Sequence, residues 1–171
     1  MKKFLITVFF LFLIKSTSLA DIPHFLDFKL ILNDSIAGKK AQTFLKNKLE
    51  NGFKSISEKE KKLLEEEKKI IQQKKIISND EYKKKVSQLR KKVSLLQKER
   101  NTLLQSVGKQ RSEAKNTLLK NLNPIVKDYM AEKKIRVVLD KKSILLADET
   151  LDITKDIIDL LNKKLKTIKL N

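Results

Sequence analysis

Ile76-Ile77-Ser78-Asn79-Asp80-Glu81 is the stretch on which the fold turns. It interrupts residues 38–122, a proline-free run dominated by Lys, Glu, Gln, Leu and Ile, types that favour helix over strand. At 76–81 the apolar pattern stops, and Ser78 with Glu81 makes an S-x-x-E capping box, which supplies acceptors for the free N–H groups of a new helix. The expectation is a long helix, a tip near 76–80, and a second long helix running back.

Spacing describes the two arms. In the second, Val86, Leu89, Val93, Leu96, Leu103 and Val107 recur at intervals of three and four, with Arg100 interrupting, as a coiled-coil seam requires. In the first, Leu49, Ile56, Leu63, Ile70 and Ile77 fall every seven residues, but Glu60, Glu67 and Lys74 hold the other seam position. Only half of that seam is apolar. At 1.5 Å rise per residue, arms of this length reach roughly 60 Å, more than a compact domain of this size is wide. Most of the hairpin must stand in water.

Composition narrows the function. The chain has 171 residues, with 39 Lys and Arg against 21 Asp and Glu, a net charge of +18, and 35 % charged residues. Cysteine is absent and His24 is the single histidine, which leaves no disulfide framework and no Cys/His zinc site. Three glycines provide no Gly-rich phosphate cradle. No cofactor is expected, and the acidic groups Asp148 with Asp152 and Glu65-Glu66-Glu67 sit in no recognisable catalytic pattern, so the reading is of a non-enzyme. His24 lacks a visible nucleophile or ligand partner and reads as structural.

Lys2 and Lys3 precede an apolar run at 4–14, followed by Lys15-Ser16-Thr17-Ser18-Leu19-Ala20. Basic, apolar and small-residue regions in this order make 1–20 a secretory signal cleaved after Ala20. The apolar run is far short of the ~20 residues that span a bilayer. Removing Lys2, Lys3 and Lys15 leaves the exported chain, 21–171, strongly basic.

Around the hairpin the sequence predicts a small β body. Strands are expected near 22–27, near 135–140, where Ile135-Arg136-Val137-Val138-Leu139-Asp140 is the strongest β signal, and near 143–148, pairing back on the second. Phe28, Ile31, Leu32 and Ile36 recur at helical spacing before the first arm. Asn51-Gly52 and Gly108 are soft points within the arms, which are read as continuous, and Asn123-Pro124 ends the seam, leaving 125–133 as a separate or kinked helix. Asp152 caps a last helix with Ile153, Ile157, Leu160, Leu161 and Leu165 on one face. The fold class is therefore α+β and mostly α: a body from 21–37 and 123–171, with 38–122 as an inserted, protruding antiparallel arm.

A cleaved signal, a short strand ending in Asp27, a helix opening with Ala37-Gly38-Lys39-Lys40-Ala41, a long charged hairpin, Val137-Val138-Leu139-Asp140, and Asp152-Ile153-Thr154 together resemble the Skp (OmpH-like) periplasmic chaperones. That resemblance implies a homotrimer whose strands build a shared body, with three hairpins around a cavity that holds unfolded outer-membrane β-barrel proteins without ATP. The body residues it singles out are Phe25, Phe28, Val137, Leu139, Ile144 and Leu146. A lipopolysaccharide patch proposed for the family would fall near Glu99, Lys109 and Gln110, of which one is basic, so it is not carried over.

Two groups on the arm are candidates for holding a client. Ile56, Leu63, Ile70, Val86, Leu89 and Val93 either bind the arms to each other or face the client. Lys83, Lys84, Lys85, Arg90, Lys91 and Lys92 either coat a solvated helix or attract acidic chains through their summed field. The same charge implies contact with anionic membrane surfaces. Nucleic acid is a weaker candidate, because Tyr82 is the lone aromatic between Phe53 and Tyr129 and the basic clusters have no stacking partners. A structural coiled-coil spacer or adaptor in the envelope is the other alternative, and the half-polar first arm counts against it.

Overall fold

A computed structural model of the chain describes residues 22–170; the expected signal and its cleavage at Ala20 lie outside the described residues. β1 (His24–Leu26) follows directly on Pro23, which has no N–H to give to a sheet. Asp27 then closes the strand and starts α1 (Phe28–Asp34), its Oδ1 accepting the N–H of Leu30 at 2.8 Å.

Ser35 ends α1 and begins α2 (Ile36–Gln73) in one residue. Its Oγ accepts the N–H of Gly38 at 3.2 Å, while Oδ1 of Asn162 accepts the N–H of Ile36 at 2.7 Å. The first arm thus starts two residues before the expected Gly38, and Ile36 belongs to it rather than to the preceding helix. α2 runs unbroken through Asn51-Gly52 to the tip. There Ser78 caps the returning helix as the spacing predicts, its Oγ accepting the N–H of Glu81 at 3.2 Å, while the Glu81 carboxylate pairs with Lys85 at 3.4 Å; α3 (Asn79–Lys133) sets off in the opposite direction.

α3 continues through Pro124, so 125–133 is a continuation of the arm helix rather than a separate one. Proline removes the N–H that would reach the carbonyl of Lys120, and both residues are exposed, so that carbonyl is not shut away from solvent. The helix stops at Lys134, which adopts a left-handed conformation with φ 57° and lets Ile135 N–H reach the carbonyl of Met130 at 2.8 Å.

β2 (Val138–Asp140) pairs with β1 in parallel, His24 opposite Val138 and Leu26 opposite Asp140. Parallel neighbours need a crossover, and here the crossover is α1 with the entire arm. On its other side β1 meets Asp152, the N–H of Ile153 donating to the carbonyl of Phe25 at 2.9 Å. The strand expected at 143–148 does not form. A tight hairpin needs residues with positive φ, and Lys141-Lys142-Ser143 has none. Asp140 instead draws the N–H of Lys142 to 3.1 Å and winds a 3-10 turn (Lys141–Ser143); Asp148 does the same for Thr150 at 2.9 Å in a second turn (Glu149–Leu151).

α4 (Thr154–Lys164) closes the body. The N-cap position falls on Ile153, which has no side chain to cap with, and the expected cap Asp152 stands one residue earlier, its Oδ1 accepting the N–H of Thr154 at 2.9 Å. Ile157 and Leu161 of α4 are fully buried, clustered with Ile31, Ala37, Leu118, Leu122, Ile125, Ile135 and Ile153. This one small core takes residues from both ends of the chain and from the root of α3. Among the described residues no helix is long and apolar enough to cross a membrane.

Candidate functional site

The arm is two helices thick, so nearly every residue on it faces either the partner helix or water. α2 spans about 57 Å and α3 about 82 Å at 1.5 Å per residue. Their seam buries Leu45, Ile56 and Ile70 on one side and Leu89, Leu96, Val107 and Ala114 on the other. Gln110, only 5 % exposed, lies in the same seam and accepts from Lys48 Nζ at 3.0 Å. A polar contact inside an apolar seam fixes register, because a slipped pairing would bury Gln110 without a partner.

Polar bridges run up one side of the hairpin. Lys59 pairs with Glu99 at 2.5 Å, Lys92 with Glu66 at 2.7 Å, and Lys85 reaches Gln73 at 2.8 Å. These pairs, with Lys48 and Gln110, mirror one another about Asn79 and lie on one face at 3.6 residues per turn. A shallow groove follows them, floored by Leu63, Leu95 and Leu96.

The opposite face is different in kind. By the same helical step it presents Phe53, Leu64 and Ile71 from α2 and Val86, Val93 and Leu104 from α3. Leu64 is 56 % exposed, Ile71 58 % and Val93 51 %. Arg100 crosses this face to Glu60 at 3.7 Å, with its guanidinium 5.6 Å from the Phe53 ring centre. One side of the arm is thus laced with ions and the other is studded with single apolar side chains.

The residues singled out from the sequence divide accordingly. Ile56, Ile70 and Leu89 are buried between the arms; Leu63 and Val86 are half-buried. Val93 is outside the seam. In its row on α3, Arg100 reaches Glu60 of α2 at 3.7 Å, while Val107 and Ala114 further along the same row are buried, so the row leaves the seam only toward the tip. Among the basic residues, Lys85 pairs with Glu81 at 3.4 Å and Lys92 with Glu66, whereas Lys83, Lys84, Arg90 and Lys91 are exposed and make no ion pair among the described residues. Leu64, Ile71 and Leu104 were not singled out from sequence, although the seven-residue step from Leu64 to Ile71 marks a second row beside the seam.

In the body, Phe25 is buried within its own chain and Phe28 and Ile144 are half-buried, while Val137, Leu139 and Leu146 are exposed, Leu146 at 92 %. Phe28, Val126, Met130, Val137 and Leu139 line an open apolar trough beside β2. Behind β1, burial pushes the Asp152 carboxyl up, but hydrogen bonds from Lys141 and Thr154 outweigh it and hold it below the ordinary carboxylate range. Burial and a 2.5 Å hydrogen bond donated to Asp156 raise the Tyr129 phenol to about 12. These groups tie α3, β1 and α4 together, and what the molecule offers to a partner is apolar and ionic contact.

Comparison with known proteins agrees with this architecture. The model of the family described as outer membrane protein (OmpH-like) matches residues 24–161. No curated protein matches the chain. Among solved structures, a candidate outer membrane chaperone (OmpH-like) from Caulobacter crescentus CB15 superposes with a TM-score of 0.81 at 20 % identity, covering 88 % of this chain and 90 % of that one. The family match begins on β1, takes in the whole arm, and ends on α4 at Leu161: the chain belongs to the OmpH-like family of outer membrane proteins.

Proposed function

We propose that this protein is a periplasmic holdase chaperone that binds unfolded outer-membrane β-barrel proteins between its arms, without ATP, and keeps them from aggregating. The observation that carries the reading is the two-helix arm, whose apolar side chains are divided between a thin seam and an exposed, widely spaced row. Such a surface makes many weak contacts and no deep one, which suits a client that must be kept extended and later released. Membership of the OmpH-like family supports it.

The active species is a homotrimer, with 21–37 and 123–171 forming the shared body. A core this small is marginal on its own, and the open edge of β2 with Val137, Leu139 and Leu146 at the surface supports burial against further copies. Export by a signal cleaved after Ala20 places it in the periplasm, where its basic surface also meets anionic lipid.

The test is light scattering of the mature protein with a urea-diluted outer-membrane barrel. A trimer that suppresses aggregation without nucleotide is the expected result. A monomer with no effect on aggregation would refute both assembly and activity.

A further inference from the structure

The chain contains four arginines among its 39 basic residues, and three of them, Arg90, Arg100 and Arg111, stand on α3. On a hairpin that repeats every seven residues, Arg90 and Arg111 hold one position and Arg100 the position beside it, so the three share a broad stripe of the helix. Val93 shares the position of Arg100, and Gln97 and Leu104 share that of Arg90, so the strip reads Arg90, Val93, Gln97, Arg100, Leu104, Arg111. All six are exposed. It runs along the face opposite the Lys–Glu bridges, beside Leu64 and Ile71 of α2. Arg90 and Arg111 make no ion pair among the described residues.

Lysine serves elsewhere on the arm, so the residue type here matters. A guanidinium is less tightly hydrated than an ammonium, grips a carboxylate with two parallel hydrogen bonds, and stacks on aromatic rings. It also tolerates apolar neighbours, and Arg100 already lies over Phe53. A second helix would be a poor occupant of this face: Gln97 interrupts the strip, and Glu60 and Glu67 stand between it and the short row of Leu64 and Ile71, so no continuous apolar seam is offered. An extended chain needs no such seam, and carboxylates between apolar side chains would complement alternating Arg and aliphatic positions.

We infer that this arginine–aliphatic strip is the track on which the arm holds its client, and that it selects extended, nonnative polypeptide in which acidic residues alternate with apolar or aromatic ones. The inference rests on the holdase reading and names its contact surface: Arg90, Arg100 and Arg111 with Val93 and Leu104, rather than the seam residues Ile56, Ile70 and Leu89.

The experiment compares full mature protein with the R90K/R100K/R111K and V93S/L104S variants and with a K59Q/E99Q control on the bridged face. Binding of a urea-unfolded acidic outer-membrane barrel is followed by fluorescence anisotropy, and circular dichroism checks helix content. The triple arginine variant keeps every charge and loses about tenfold in affinity; the serine variant loses a similar amount, and the control binds as the unaltered protein does. If the unaltered protein holds the barrel and both strip variants hold it equally well, the inference fails while the holdase reading stands. If the unaltered protein does not hold the barrel, both fall together. A strip variant that loses only binding to phosphatidylglycerol vesicles would assign the strip to lipid and overturn the inference.

Discussion

The carbonyl oxygen of Leu32 closes over Gly38, so that a methyl group on Gly38 would stand 1.9 Å from it and 2.8 Å from Ser35 Oγ. Here α1 turns into the arm, and the missing side chain lets the last turn of one helix lie against the first turn of the next. Gly38→Ala must push the two apart. It is expected to cost about 3 kcal/mol and to loosen the root of the arm, read as a lower urea midpoint and weaker amide protection at 35–41.

Gly108 is the opposite case, with nothing within 4 Å of the place a methyl would occupy. Gly108→Ala is expected to stabilise the arm by about 1 kcal/mol, the ordinary difference between these residues in a helix. At Gly52 the methyl would meet the Leu103 side chain at 2.4 Å, so alanine there is destabilising unless Leu103 changes rotamer. Hydrogen exchange in the unaltered protein should find faster amides at Gly52 and Gly108 than in the turns on either side; uniform protection would remove softness from both places.

Lys134 holds a conformation that costs an L-residue about 1 kcal/mol and that glycine adopts freely. Lys134→Gly should therefore raise the midpoint of thermal unfolding, and Lys134→Val should lower it, since a branched Cβ fits this conformation worse.

Two titrations bracket the body. The Asp152 carboxyl is held below its ordinary value, so its contribution is complete above about pH 4 and disappears as pH falls through the lowered value. Tyr129 is raised from 10.0 to about 12, so its contribution is complete below pH 10 and is lost as pH rises through 12. Phenolate absorbance should show a late step near pH 12 that Tyr129→Phe removes, and Asp152→Asn should flatten the acid side of the stability curve.

The hairpin was legible because its signals are local. Ser78 with Glu81 marks the tip, and the heptad of Ile56, Leu63 and Ile70 marks the seam. Strand pairing is not local in this sense. Nothing within 135–140 says that its neighbour is His24–Leu26 in parallel rather than 144–148 in antiparallel, and apolar content at Ile144-Leu145-Leu146 suggested a strand that the Asp140 and Asp148 turns forestall. At Pro124 the sequence leaves a separate helix and a continuation both open, and the continuation holds: a proline costs one hydrogen bond, and Leu118, Leu122 and Ile125, buried on either side of it, outweigh that cost. On the arm, spacing located the seam residues but placed Val93 with them. Which of two neighbouring rows faces inward depends on what the opposite helix presents, and Glu60 and Glu67 decide it.

The pairing of His24 with Val138 has a consequence for the order in which the molecule is made. In a chain that emerges amino end first, β1 must wait for its neighbour until the whole rod pair has appeared, and the contacts that define the base are the most distant in sequence. The rods, built from near neighbours, therefore coil first and bring the two ends together, acting as a scaffold for their own foundation.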